Sequence, residues 1–206
     1  MERDTAPTYL ARARAEWDGQ APTFDQAPDH GLRDAAVRSA WREAMIRWLP
    51  SQPGRLLDVG CGTGSMSILA ANLGHTVTGI DASTVMITLA RQKAAAENLS
   101  LTFELGDAAN PEFPPLAFDT VLCRHVLWSL PNPADVLDRW SRLLAPGGRL
   151  ILIEGSWWTG GGLKAADLLT MLPLRFAQIQ HTRLTNRPDL WGGVVTDERY
   201  VVIVRE

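Results

Sequence analysis

Cysteine is scarce: two in 206 residues, Cys61 and Cys123. No disulfide framework can be built from so few, so a reducing, cytoplasmic setting is expected. Neither cysteine stands with histidine at metal-ligand spacing, and no metal is expected. Lys and Arg form no cluster and the formal net charge is −3, which argues against a nucleic-acid partner. No apolar run approaches the roughly 20 residues of a membrane span. The opening MERDTAPTYL lacks the apolar core of a signal segment, so no membrane partner is expected either. Repeats and low-complexity tracts are missing too. What remains is an ordinary globular balance, 46% hydrophobic and 21% charged. The length suits one α/β domain with a full core.

The most informative stretch runs from Leu56 to Asp81. Four apolar or acidic residues, Leu56 to Val59, lead into Gly60-Cys61-Gly62-Thr63-Gly64. Alternate glycines after a strand permit a tight turn and let a ligand lie on the backbone where the next helix begins. Met66, Leu69, Ala70 and Leu73 then recur at helical spacing, with Gly74 as the stop. Thr76 to Ile80 reads as a second strand with Asp81 at its carboxyl end, the edge where open α/β sheets bind ligands. A dinucleotide fingerprint would need a third glycine at position 65, which is Ser65. Asp58 would also repel a pyrophosphate. A nucleoside with a cationic amino-acid tail suits Asp58 and Asp81 better than NAD does.

Asp58 to Gly64 resembles the first motif of class I S-adenosylmethionine (SAM)-dependent methyltransferases, and Asp81 to Met86 resembles the second. Gly106-Asp107-Ala108 resembles the third. The likeness extends from about Trp17 to the C-terminus. It implies a Rossmann-like three-layer α/β/α sandwich whose mostly parallel seven-stranded sheet ends in an antiparallel strand. It implies SAM as cofactor, with S-adenosyl-L-homocysteine (SAH) as product. It places Asp58, Gly60, Gly62, Gly64, Asp81, Ala82, Met86, Asp107, Ala108 and Arg124 around that cofactor. Asp107 would bond the adenine amine, or cap its own loop. Arg124 would line the cofactor with its backbone, or meet an acidic substrate with its side chain.

Residues 1–50 are expected to form a helical lid segment before a methyltransferase domain at 51–206. Tyr9 to Trp17 has helical character, and a loop is expected over Ala21–Pro28. Arg33 to Leu49 carries Ala36, Val37, Ala40, Trp41, Ala44, Met45 and Trp48 on one helical stripe. Tyr9, Trp17 and Phe24 are lid candidates. Ser83 is an N-cap for the helix after Asp81, and Asn132-Pro133 are cap and first residue of another running to Leu144. Further strands are expected at Leu101–Leu105, Phe118–Cys123, Leu150–Ile153, Ala177–Leu184 and Arg199–Val204, and a helix over Gly162–Leu172. The span after the fifth strand is short, where relatives often insert a substrate cap.

Methyl transfer from a sulfonium is an in-line substitution that depends mainly on orientation. A base matters only for a protonated nucleophile. His125, after the fourth strand, is the candidate base; it could equally orient the loop or pack on the cofactor. Trp17, Phe24, Trp128, Glu154 and Trp157 are candidate substrate-binding residues. Trp158 is expected beside Trp128 and Trp157 on the ligand side, while Trp41, Trp48 and Trp140 fit helix core faces. His75 is expected to be structural, and His30 and His181 to lie at the surface. The expected partner is a small apolar or aromatic methyl acceptor, the expected assembly a monomer or homodimer. Two other functions fit less well: a SAM-binding protein without catalysis, and an NAD(P)-dependent oxidoreductase.

Overall fold

A computed structural model describes residues 6–205. Seven strands form one sheet: β1 Arg55–Val59, β2 Thr76–Asp81, β3 Thr102–Leu105, β4 Phe118–Arg124, β5 Leu144–Ser156, β6 Gln178–Arg183 and β7 Glu198–Arg205. Their order is β3-β2-β1-β4-β5-β7-β6. The first five strands pair in parallel, while β7 is antiparallel to both β5 and β6. The expected fold class is therefore observed, with the last strand reversed. The order switches direction between β1 and β4, which leaves a crevice at the carboxyl ends of the strands.

Alternation along the central strands feeds two large cores. Leu57, Val59, Val121, Cys123, Leu150 and Leu152 meet Val136, Leu137, Trp140 and Leu168 from helices α6 (Pro133–Arg142) and α7 (Ala165–Met171). On the other face, Leu56, Leu122, Ile151 and Ile153 meet Trp41, Met45, Met66 and Leu69 from α3 (Ala35–Trp48) and α4 (Ser65–Asn72). Trp41, Trp48 and Trp140 are buried. Within the expected lid segment, α3 thus belongs to the sheet's own helical layer. Only α1 (Ala6–Phe24) and α2 (Pro28–Gly31) supply cavity walls.

Three local expectations need correction. Helix α1 does not end near Trp17; it continues past Pro22 to Phe24. Asp18 explains part of this, because its carboxylate accepts from Ser83 Oγ at 2.5 Å and Val85 N at 3.2 Å and ties the helix to α5 (Thr84–Ala96). Asn132 precedes α6 as expected but makes no side-chain cap; its φ is +50°, and Pro133 starts the helix. The chain after Arg142 turns early, so Leu144 already pairs with Phe118. Ser83 does cap α5, accepting from Met86 N at 3.0 Å. Among the described residues, no helix is long and apolar enough to cross a membrane.

Candidate active site

The crevice holds a cavity of about 600 Å³. Its floor is the turn after β1. Gly60, at φ +66°, lies so close to Val126 that a Cβ would collide with the isopropyl group. Gly62, at φ +54°, faces the ring of Phe24, 3.4 Å from where a Cβ would sit. Both glycines line the cavity, whereas Gly64 does not. A Cβ on Gly64 would instead press on Phe103 at 2.9 Å and Ala90 at 3.0 Å, so this glycine serves helix–sheet packing.

Two carboxylates flank the turn. Asp58 is buried and accepts from Ser67 Oγ at 2.6 Å. Burial pushes its pKa up to about 7, against the opposing pull of the Ser67 hydrogen bond. Asp81 accepts from Gly62 N and Ser83 N, each at 2.8 Å, and burial raises its pKa. It thereby fixes the glycine bend and the start of α5 together. Ala82, Met86, Asp107 and Ala108 complete this end. Met86 is both core and cavity wall. One oxygen of Asp107 accepts from Ala109 N at 2.8 Å, so the aspartate does cap its own loop while it lines the cavity. The set fits a nucleoside with a cationic tail: an acid at the tip of β2, an acid under the turn, and backbone open to approach at Gly62.

The other end is aromatic and basic. His125 occupies φ +59°, a strained backbone for a non-glycine residue. Its N–H donates to Ile153 O at 2.9 Å and its carbonyl accepts from Trp128 Nε1 at 3.0 Å. The imidazole packs 5.2 Å from Trp157 and 6.0 Å from Trp191. Burial, then Arg124 and neighbouring charges, hold its pKa well below the ordinary value, so the ring is neutral at physiological pH. Its Nε2 is buried without a partner. Arg124 bonds Asp29 at 3.0 Å and lies 4.5 Å over Trp41.

Glu154 is placed elsewhere. It is fully buried beneath the loop after β4 and does not line the cavity. Its carboxylate accepts from Val126 N at 3.0 Å and Leu127 N at 2.8 Å, and burial pushes its pKa up to about 8. It is a strut for the segment that carries His125 and Trp128. Trp158 is 88% exposed and points to solvent, unlike its neighbour Trp157. Trp17, Phe24, Trp128 and Trp157 all line the cavity, as does Tyr9.

His30 corrects another expectation. It stacks on Phe24 at 4.3 Å and lines the cavity rather than the outer surface. Asp29 and Arg199 were also not anticipated. Arg199 had a legible signal: an antiparallel β7 presents its first residues at the edge where parallel strands end. The closure of α1 and α2 over the turn rests on polar contacts equally invisible beforehand. Asp25 pairs with Lys93 at 2.7 Å and accepts from Thr63 Oγ1 at 2.5 Å. Ser65 Oγ donates to His30 O at 2.6 Å.

A glycine bend after β1, an acid at the tip of β2 and this strand order define an open α/β domain with its cavity at the carboxyl ends of the strands. The family model described as "Methyltransferase domain" matches residues 57–152. The chain belongs to the class I SAM-dependent methyltransferases, and SAM is the cofactor of that family. It is 31% identical over 169 residues to a ubiquinone/menaquinone biosynthesis C-methyltransferase of Ruegeria sp., covering 78% of this chain and 66% of the relative. It is 32% identical to a ubiquinone biosynthesis O-methyltransferase of Xanthomonas euvesicatoria pv. vesicatoria, covering 70% and 57%. The chain thus spans under two thirds of the length of these relatives. The N-methyltransferase NodS of Bradyrhizobium japonicum, solved with SAH, shares the fold at TM-score 0.71 and 19% identity, covering 92% of this chain and 98% of NodS.

Proposed function

We propose that the chain transfers the methyl group of SAM to an O, N, S or C nucleophile of a small apolar or aromatic molecule, releasing SAH. One observation carries this. A single cavity joins the acid-flanked glycine turn to an aromatic chamber containing a neutral, unpartnered imidazole. The cofactor supplies an already activated methyl group. Asp81 bonds the ribose hydroxyls, Asp58 offsets cationic charge, Gly60 lets the turn pack against Val126, and Gly62 leaves the backbone open. Ala82, Met86, Asp107, Ala108 and the Arg124 backbone surround the base and tail. Trp128, Trp157, Trp17 and Phe24 bury the acceptor and exclude water. His125 accepts or orients the acceptor's proton at Nε2.

The names of the two curated relatives, which refer to ubiquinone and menaquinone biosynthesis, support a ring-bearing small-molecule acceptor. Scarce cysteine supports a cytoplasmic setting, and a monomer or homodimer is proposed. Calorimetry should show SAH binding and none for NADH. Labelled SAM should turn over with a phenolic or quinol acceptor panel; binding with no turnover across every panel tried would favour a non-catalytic role. His125→Ala should lower kcat by about 10²- to 10⁴-fold if His125 moves the proton, with SAH affinity unchanged. Equal loss of both would assign His125 to the cofactor.

A further inference from the structure

Two nitrogens at the end of β4 lack partners: Arg124 Nε and His125 Nε2, both buried. The two residues are adjacent, and both line the cavity. An arginine Nε can only donate a hydrogen bond, and a buried donor left unmade is costly. The Arg124 Nε donor therefore calls for an acceptor atom, and the neutral His125 ring beside it offers its Nε2 to a proton. A second guanidinium, Arg199, enters the same chamber from β7. Asp197 grips it at 2.9 and 3.2 Å, and it lies 4.7 Å over Trp191 and 5.9 Å from Trp157. Each guanidinium is held by one carboxylate, which fixes its direction and leaves donors over, since arginine has five. The rest of the chamber is flat and aromatic: Trp128, Trp157 and Phe24.

We infer that Arg124 and Arg199, on either side of His125, form an oxyanion-holding subsite, and that the methyl acceptor is an aromatic molecule carrying an acidic oxygen, a carboxylate or an acidic phenol. This rests on the methyltransferase reading above and narrows it to a substrate class. The guanidinium groups stabilise that oxygen as its anion, and where the methyl goes to a second, protonated group of the acceptor, His125 Nε2 takes that group's proton. A sulfonium cofactor in the same cavity adds attraction for that anion.

A competing occupant is a metal ion, because ligand atoms of Asp29, His30 and His125 lie within 4.8 Å of one another. Arg124 opposes it. Its guanidinium already sits 3.0 Å from the one carboxylate of the set, and a dication beside it would be repelled.

The test is calorimetry on the SAH-loaded protein with four probes of similar size: benzoate, 4-nitrophenolate, benzamide and benzylammonium. At least one anion should bind about tenfold or more tightly than benzamide, the equivalent of about 1.4 kcal/mol, and benzylammonium should bind weakest. Which anion leads separates a carboxylate from a phenolate acceptor. Arg199→Gln should bring the leading anion to within about threefold of benzamide and leave SAH affinity unchanged. If that variant does not fold, the wild-type ranking alone decides. Equal binding of all four probes, a preference for benzylammonium, or tight stoichiometric Co²⁺ binding would overturn the subsite. Loss of SAH affinity in Arg199→Gln would also overturn it, by giving the guanidinium to the cofactor's carboxylate. Failure of SAH itself to bind would instead sink the methyltransferase reading.

Discussion

Asp58 makes cofactor binding a proton-linked event. Burial holds its pKa at about 7, against the Ser67 hydroxyl and backbone N–H and the charge of Arg124. Near neutral pH the free site is therefore a mixture of carboxyl and carboxylate. A cationic ligand beside it favours the carboxylate and pulls the pKa down. The sign follows: binding releases a proton, and affinity rises with pH until the free site is fully ionised. If the complex stays ionised throughout, affinity should be about tenfold weaker near pH 6 than near pH 8. Near pH 7, about half a proton should leave per ligand bound, read by SAH calorimetry in buffers of different ionisation enthalpy. Asp58→Asn should bind more weakly and lose the slope, which separates Asp58 from titration of the ligand's own amine. A flat wild-type profile, or the same slope in the asparagine variant, would refute the placement of this carboxylate beside the cofactor.

Three further perturbations test other parts of the account. Asp81→Ala removes the proposed ribose acceptor and the brace on Gly62 and Ser83; SAH affinity should fall about 10- to 100-fold, and unchanged calorimetry would move the ribose elsewhere. Glu154→Ala strands the Val126 and Leu127 N–H groups and should cost about 2–4 kcal/mol in denaturant unfolding, while Glu154→Gln keeps an acceptor oxygen. Because the folded pKa of Glu154 is raised from 4.5 to about 8, stability should be highest below the lower value and decline as pH rises through the upper one; a Glu154→Gln variant with the wild-type slope would contradict this. Lys93→Met breaks the partly buried tie to Asp25 and the contacts to Thr63 and Ser65. At about 1 kcal/mol, SAH release should quicken roughly fivefold in stopped flow, and no change would remove the α1–α2 closure from the kinetics.

Strands were legible because buried parallel strands are continuous apolar runs, as at Leu150–Ile153. The glycine bend and Asp81 were legible because backbone conformation there admits few residue types. Helix α1 runs further than the sequence suggests because Pro22 marks a break in isolation, whereas contacts far along the chain, among them Asp18 with Ser83, help to hold the helix in place. Glu154 was misassigned because its position at a strand's carboxyl end says nothing of which way the carboxylate turns. It turns inward, to backbone donors on the next loop. Asp29 and His30 carry no periodic signal; only the crossing of α2 over the turn brings them to Arg124 and Phe24. Trp157 and Trp158 are neighbours in sequence, yet one lines the cavity and the other is solvent-exposed, a distinction that depends on the turn around Gly161 and Gly162.

The most direct measurement is a crystal structure of the chain with SAH. The adenosine should lie across the Gly60–Gly62 bend with its ribose hydroxyls on Asp81, and the thioether should face the chamber of His125, Trp128 and Trp157. An empty crevice, or a diphosphate seated on the bend, would contradict the account.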